Sequence, residues 1–205
     1  MPAFTATGPN ALVNCESVRS IIDGISFKSK AMDILSKYGL ARPRPGKWYS
    51  QQLWLNAIKE ISDRFLPSTL CAIGLEFAAK ARVSPEIGSL ESALVMMDEI
   101  YRMNNNTKGT AVAKPCRGVP NGSHGHYCYS RKNCDEAAML CQNPNPCEFD
   151  RGFIEGIAKR FGPARGSVHI VHDDEAECRK TGAESCTYKI LYRQPIKGGF
   201  HGHGD

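Results

Sequence analysis

The chain has 205 residues, of which 41% are hydrophobic and 23% charged, the balance of a soluble globular protein. This length suits one large domain or two small ones and allows a sizeable core. The formal net charge of +5 permits anionic partners, but lysine and arginine do not cluster around the cysteines as contact with phosphates requires. A nucleic-acid-binding module is therefore the weakest function class, and no nucleic-acid partner is expected.

The first half of the chain has the pattern of amphipathic helices, because apolar residues recur at intervals of three and four. Four helices are predicted. They run from Ile21 to Leu35 with Gly39 as the stop, from Tyr49 to Phe65, from Leu70 to Ala81, and onward from a cap at Ser89. Residues 1–103 are thus the helical part of a single predicted domain that spans residues 1–193.

The remainder of that domain, residues 104–193, is rich in glycine, proline and cysteine, which indicates loops around short strands. Asn133 to Glu136 has the spacing of a capping box and predicts a short helix at this point. A second helix is predicted from Phe149 to Phe161, where Gly162 and Pro163 follow as a stop.

Two strands of a terminal hairpin are predicted at Ser167–Asp173 and Cys186–Arg193, and Gly182 supplies a tight turn in the link between them. Such a hairpin would bring the residues of the link to one end of the sheet. The glycine- and histidine-rich residues 194–205 are expected to form a flexible tail.

The link and its surroundings hold potential metal ligands. Glu175 and Cys178 lie in the link, Cys186 opens the last strand, and Cys147 lies just upstream of the predicted helix. Three thiols and a carboxylate supply the four ligands of a closed tetrahedral zinc site, and thiolates favour zinc. The alternative is that Cys178 and Cys186 are small hydrophobic residues of a sheet.

Cysteine usage and the amino terminus indicate a reducing compartment. Met1 to Thr5 lacks the basic start and apolar run of a secretory signal. The longest apolar stretch, Leu70 to Ala81, is interrupted by Glu76 and is shorter than the roughly 20 residues of a membrane span. Nine cysteines in such a chain favour reduced thiols with metal or redox roles. A cytoplasmic protein without a membrane span is expected.

The cysteine pattern resembles that of the 4-vinyl reductase domain family. The resemblance rests on Cys147, the pair Gly152 and Gly156, and the run Glu175-x-x-Cys178-x-x-x-Gly182-x-x-x-Cys186. It covers about residues 110 to 193. The early Gly8-Pro9-Asn10-Ala11 is similar to that of members linked to bacteriochlorophyll synthesis, and domains of the family that sense phenolic compounds hold structural zinc at these positions. The resemblance implies zinc bound by Cys147, Glu175, Cys178 and Cys186.

The resemblance also implies a fold and a function. The fold would be α+β, with helices packed on a twisted antiparallel sheet around an apolar pocket, similar to trafficking-complex subunits and haem-based nitric-oxide sensors. The function would be a small-molecule-binding sensory or carrier protein whose ligand is hydrophobic, aromatic or tetrapyrrole-like. A homodimer and a protein partner for output are expected.

The alternative is an enzyme or accessory factor in tetrapyrrole or aromatic metabolism. The sequence shows no Ser/His/Asp arrangement and no paired-carboxylate motif, so catalysis would need a bound cofactor. A nicotinamide-binding glycine fingerprint is missing too, because the glycines from Gly118 to Gly125 precede no plausible helix. An enzyme is therefore the less favoured class.

Four further thiols depart from the family pattern: Cys116, Cys128, Cys134 and Cys141. They could hold a second metal or an iron–sulfur cluster, although their spacing contains no Cys-x-x-Cys pair. Otherwise they are buried or redox-reactive thiols. His172 approaches Glu175 and could join the metal shell, but a surface position is the favoured interpretation.

The ligand pocket is predicted from the apolar stripes of the second to fourth helices. Trp54, Phe77 and Tyr101 are the residues expected to face a cavity between helices and sheet, where aromatic rings could hold a planar ligand. The alternative is that each belongs to the ordinary core.

Overall fold

A computed structural model describes residues 2–107, 125–162 and 167–193. Seven helices lie in these ranges: α1 Cys15–Gly24, α2 Lys28–Lys37, α3 Gln51–Arg64, α4 Pro67–Lys80, α5 Leu90–Val95, α6 Met97–Asn104 and α7 Cys147–Phe161. The strands are β1 Ala11–Asn14, β2 Trp48–Ser50, β3 Asn105–Thr107, β4 His126–Arg131, β5 Glu136–Gln142, β6 Ser167–His172 and β7 Cys186–Arg193. The predicted tail, residues 194–205, lies outside the described ranges.

The helical first half matches the pattern of apolar residues, with finer divisions than the sequence indicated. The first predicted helix is two, α1 and α2, and the fourth is also two, α5 and α6. Side-chain caps begin several of them: Asn14 accepts the amide of Ser17 at 3.0 Å, and Ser89 forms a capping box with Ser92. Gly39, with φ of +70°, ends the second helix as predicted.

The strands form two antiparallel sheets. The smaller has the order β2-β1-β3, and the larger has the order β4-β5-β7-β6. The terminal hairpin predicted from the sequence is β6 paired with β7, with His172 opposite Tyr188. In the larger sheet, β5 pairs with β7 so that Cys141 lies opposite Cys186. The α+β class with helices on an antiparallel sheet is confirmed.

The short helix predicted from the capping-box spacing at Asn133 is wrong. Glu136 begins β5, and residues 132–135 form the turn of the β4–β5 hairpin. The Asn133 side chain accepts the amide of Asp135 at 2.8 Å, and the Glu136 carbonyl accepts two amides of the turn. Asparagine and aspartate favour such turns as strongly as they favour helix caps, so the local spacing alone did not distinguish the two structures.

Helices α4 and α7 pack with almost no space between their backbones. A Cβ atom at Gly74 would lie 2.2 Å from the carbonyl oxygen of Phe149, and one at Gly152 would lie 2.0 Å from that of Cys71. At Gly156 it would lie 2.4 Å from the Cβ of Ala78. These glycines permit close helix contact, which fixes α7 against the helical layer and so fixes the position of its first residue, Cys147.

The core lies between the helices and the larger sheet. Trp54 packs edge-on against Phe149 with ring centroids 5.4 Å apart, Phe77 packs against Phe153 at 4.8 Å, and Tyr101 packs against a tyrosine of β4 at 5.3 Å. All three residues predicted to line a pocket are buried in these contacts. Across the described ranges, no helix has the length and apolar character needed to cross a membrane.

Candidate metal centre

Four side chains converge where α7 begins, at the end of the β6–β7 hairpin that carries the link between its two strands. Cys147, His172, Cys178 and Cys186 place one ligand atom each within 4.8 Å of one another, and we call this group the Cys3His cluster. The three Sγ–Sγ distances are 3.2 Å for Cys147–Cys186, 3.7 Å for Cys147–Cys178 and 3.8 Å for Cys178–Cys186. Thiolates bound to one zinc ion at 2.3 Å in a tetrahedron lie about 3.8 Å apart, so two of the three distances match without rearrangement.

The four ligands come from four different points of the chain. Cys147 is the first residue of α7, His172 the last of β6, and Cys186 the first of β7. Cys178 precedes a single 3₁₀ turn, Arg179–Thr181, and the hydroxyl of Thr181 donates back to the Cys178 carbonyl at 2.8 Å. The turn closes at Gly182, whose φ of +94° suits glycine, as the sequence predicted. Each ligand is therefore fixed by an element boundary.

His172 is held by its neighbours in one orientation. Its Nδ1 lies 2.9 Å from a carboxylate oxygen of Asp174, and its ring packs edge-on against Tyr188 with centroids 5.2 Å apart. Its other nitrogen, Nε2, is buried and has no hydrogen-bond partner in the described structure. A carboxylate on one nitrogen and an unpartnered second nitrogen beside three thiols is the arrangement of a metal-ligating histidine.

Glu175, the fourth ligand that the sequence indicated, lies outside the Cys3His cluster. Its side chain is 93% exposed, and its carboxylate lies 3.8 Å from the Nζ of Lys189. His172, for which the sequence favoured a surface position, is 22% exposed and belongs to the cluster instead. The signal that could have identified it is the hairpin register, which places His172 opposite the buried Tyr188.

Arg179 contacts the sulfur of Cys186 and favours the thiolate form of this cysteine. Its backbone amide lies 3.4 Å and its Nε 3.3 Å from the Sγ of Cys186. A hydrogen bond from Cys147 and then the Arg179 guanidinium lower the pKa of Cys186, whereas that same hydrogen bond and burial raise the pKa of Cys147. The cluster thus holds at least one thiolate readily, and thiolates are the form that binds metal.

Arg179 is itself anchored by a buried ion pair with Asp150, and both side chains are 0% exposed. The other oxygen of Asp150 accepts the Tyr127 hydroxyl at 2.5 Å, and the amides of Asn143 and Asn145 donate to the same carboxylate at 3.2 Å. Burial raises the pKa of Asp150, and the guanidinium and these donors oppose that rise. Sequence reasoning missed this network, although an arginine next to a candidate ligand was visible in the sequence.

The additional thiols do not form a second group of ligands in the described structure. Cys128 is half-buried in β4, Cys134 is exposed in the hairpin turn, and Cys141 is buried in β5. Within the part of the chain that is described, the Cys3His cluster is the one group of three or more potential ligand atoms. Cys116 lies outside the described residues, so the hypothesis of a second metal, cluster or redox centre stays a prediction.

A cavity of about 400 Å³ adjoins the Cys3His cluster. Its walls include Cys147, His172 and Cys178 from the cluster, together with Arg151 of α7 and Tyr188 of β7. Two further cavities, of about 440 and 380 Å³, lie at the α3–α4 junction and beside the amino terminus. Trp54, Phe77 and Tyr101 line none of these three.

Known structures share this arrangement of helices and strands. An H-NOX protein from S. oneidensis, a triple mutant in the Fe(II) ligation state, is 14% identical with a TM-score of 0.60, covering 89% of this chain and 97% of its own. The same species' H-NOX protein in the Fe(II)NO ligation state is 13% identical with a TM-score of 0.58, covering 87% and 99%. An oxygen-binding H-NOX domain related to soluble guanylate cyclases is 13% identical with a TM-score of 0.56, covering 88% and 93%.

This likeness establishes the fold. The architecture that the sequence predicted, similar to haem-based nitric-oxide sensors, is confirmed at this level. No family model matches the sequence, and no curated protein matches it either. Membership of the 4-vinyl reductase domain family therefore stays a prediction.

Proposed function

We propose that this chain is a small-molecule-binding sensory or carrier domain whose ligand-binding half is held together by one zinc ion. The observation that carries the proposal is the convergence of Cys147, His172, Cys178 and Cys186 within 4.8 Å. The H-NOX-like fold and the cavity beside the cluster support the binding role. Homodimerisation, an output partner and a cytoplasmic location stay predictions of the sequence.

The donor set favours zinc over the alternatives. Three sulfurs and one imidazole nitrogen in a closed shell are typical of structural zinc sites. An iron–sulfur cluster fits less well, because its thiolates bind different iron atoms and are held farther apart than the 3.2 to 3.8 Å separations found here. When bound, zinc would cross-link the four ligands of the Cys3His cluster and neutralise the thiolate charge. Its closed shell would leave no open position for a substrate.

Residues around the Cys3His cluster also help to join α7, β6 and β7. Asp174 keeps the His172 ring turned so that Nε2 is free for the metal. The hydroxyl of Tyr188 donates to the Cys147 carbonyl at 2.6 Å and so ties the first turn of α7 to β7. Arg179 offsets the excess negative charge that three thiolates bring. Together these contacts join α7, β6 and β7 around one point.

A tetrapyrrole fits the described residues poorly. The space between the helices and the larger sheet is filled by aromatic side chains in mutual contact, among them Phe77, Tyr101 and Phe153. The Nε2 of buried His126 has no hydrogen-bond partner among the described residues, as a haem-binding nitrogen would require, but His126 lines none of the three cavities. The proposed ligand is therefore a smaller molecule than haem.

Exchanging His172 and Glu175 separately for glutamine tests the ligand assignment. His172→Gln should weaken zinc binding by about 10-fold or more, because the imidazole nitrogen is lost from the shell, whereas Glu175→Gln should leave it unchanged. Zinc retained after dialysis against a competing chelator, measured by elemental analysis, reports the difference. The reverse result, with zinc lost in Glu175→Gln and kept in His172→Gln, would return the assignment to the sequence-based set.

A further inference from the structure

Among the described residues, the cavity beside the Cys3His cluster has one basic wall residue without a carboxylate partner, Arg151. Among its walls, Lys180 is paired with Glu148, and His172 is paired with Asp174. Arg151 forms no ion pair with any carboxylate of the described residues. Its Nε is buried and has no hydrogen-bond partner there. A guanidinium carries five N–H donors, so one that lines a cavity without a carboxylate partner favours a ligand that provides acceptors.

The position of Arg151 in the fold directs it to the cavity. Cys147, Glu148 and Arg151 are at positions one, two and five of α7 and all three line the cavity. Residues four apart on a helix share a face, so Arg151 lies one turn beyond the metal ligand Cys147. The interlocked glycines between α4 and α7 fix this helix, so the guanidinium is presented from a rigid wall.

The remaining walls define what could bind. The other walls include Tyr188, whose fully buried ring packs edge-on against His172, and Thr181 of the 3₁₀ turn. A volume of about 400 Å³ is within the range of small-molecule sites. Because four protein groups would close the zinc shell, the ligand has to be held by side chains and not by the metal.

We propose that this cavity binds a small organic carboxylate, with its carboxylate group on Arg151. A guanidinium presents paired N–H donors that match the two oxygens of a carboxylate, and it is the preferred partner where recognition is planar and bidentate. The inference deepens the proposed binding function, since it rests on that function and names its ligand class, but it does not require that the metal be zinc.

Benzoate is a suitable probe, with benzyl alcohol as its neutral counterpart of similar size. In saturation-transfer NMR, benzoate should bind the full-length protein, and Arg151→Gln should weaken that binding by about fivefold or more because the charge-assisted bonds are lost. Benzyl alcohol should bind more weakly than benzoate and should not distinguish the two proteins. Lys159→Gln removes one positive charge from the exposed side of the same helix and should leave benzoate binding unchanged.

Zinc content, measured on the same samples, separates this inference from the proposed metal site. Arg151 is not a ligand, so Arg151→Gln should keep its zinc while it loses benzoate. If benzoate binding depends on Arg151 but the wild-type protein holds no zinc, the cavity inference stands and the metal proposal fails. Failure of benzoate to bind the zinc-loaded wild-type protein, or equal binding to wild type and Arg151→Gln, would overturn the inference.

Discussion

Replacing Cys178 with serine is expected to abolish stoichiometric zinc binding and to lower the melting temperature by about 10 °C or more. Cys178 is the half-buried member of the Cys3His cluster, so the substitution removes a ligand with little packing cost. Binding to a structural zinc site contributes directly to folding free energy, since the site does not exist in the unfolded chain. A loss of several kcal/mol corresponds to a shift of that size in a domain of this length.

The matched control for Cys178→Ser is Cys134→Ser. Cys134 is exposed in the β4–β5 turn, where its thiol contacts Asp135 at 3.4 Å, and it lies outside the cluster. Its replacement should change neither zinc content nor melting temperature. A strong chelator should destabilise the wild type and Cys134→Ser but have no effect on Cys178→Ser. Equal chelator sensitivity in all three proteins would contradict a structural role for the metal at this site.

Replacing Asp150 with alanine is expected to cost about 3 to 5 kcal/mol of unfolding free energy, because it leaves the Arg179 charge buried without a partner. Both side chains are fully buried, so the guanidinium that loses its carboxylate partner is shielded from bulk water. The substitution also removes the acceptor for the Tyr127 hydroxyl, which adds to the loss. Urea unfolding followed by circular dichroism measures the change.

Two comparisons separate the buried charge from simple truncation. The double variant Asp150→Leu with Arg179→Met should be more stable than Asp150→Ala, since apolar pairs often replace buried ion pairs at little cost. Asp63→Ala breaks the Lys59–Asp63 pair on the surface of α3 and should change stability little. If Asp150→Ala costs no more than Asp63→Ala, the buried network does not support this region of the fold.

The elements that the sequence predicted well are those specified by long apolar patterns. The strand Cys186–Arg193 and the helix ending at Phe161 have the predicted bounds at those ends, since alternation and a glycine stop are strong signals. The turn at Asn133 was assigned to a helix because its signal is only four residues long. Short polar segments take the structure that their neighbours impose, and here β4 and β5 imposed a hairpin.

The candidate site shows the same limit. The predicted hairpin grouped Cys178 with Cys186, the family resemblance added Cys147, and the structure places all three in one cluster. The fourth position depends on how β6 pairs with β7, a long-range property that no local motif encodes, and it belongs to His172 in the structure. The Asp150–Arg179 pair was missed for a related reason, because its two residues lie 29 positions apart and meet only when α7 packs on the sheet.

X-ray absorption at the zinc edge of the purified wild-type protein measures the proposed site most directly. One zinc per chain is expected, with three sulfur neighbours at about 2.3 Å and one nitrogen neighbour at about 2.0 to 2.1 Å. The His172→Gln protein should lose the imidazole contribution to the spectrum. A shell dominated by oxygen and nitrogen with fewer than three sulfurs, or a wild-type protein that holds no zinc after purification without chelators, would contradict the Cys3His centre.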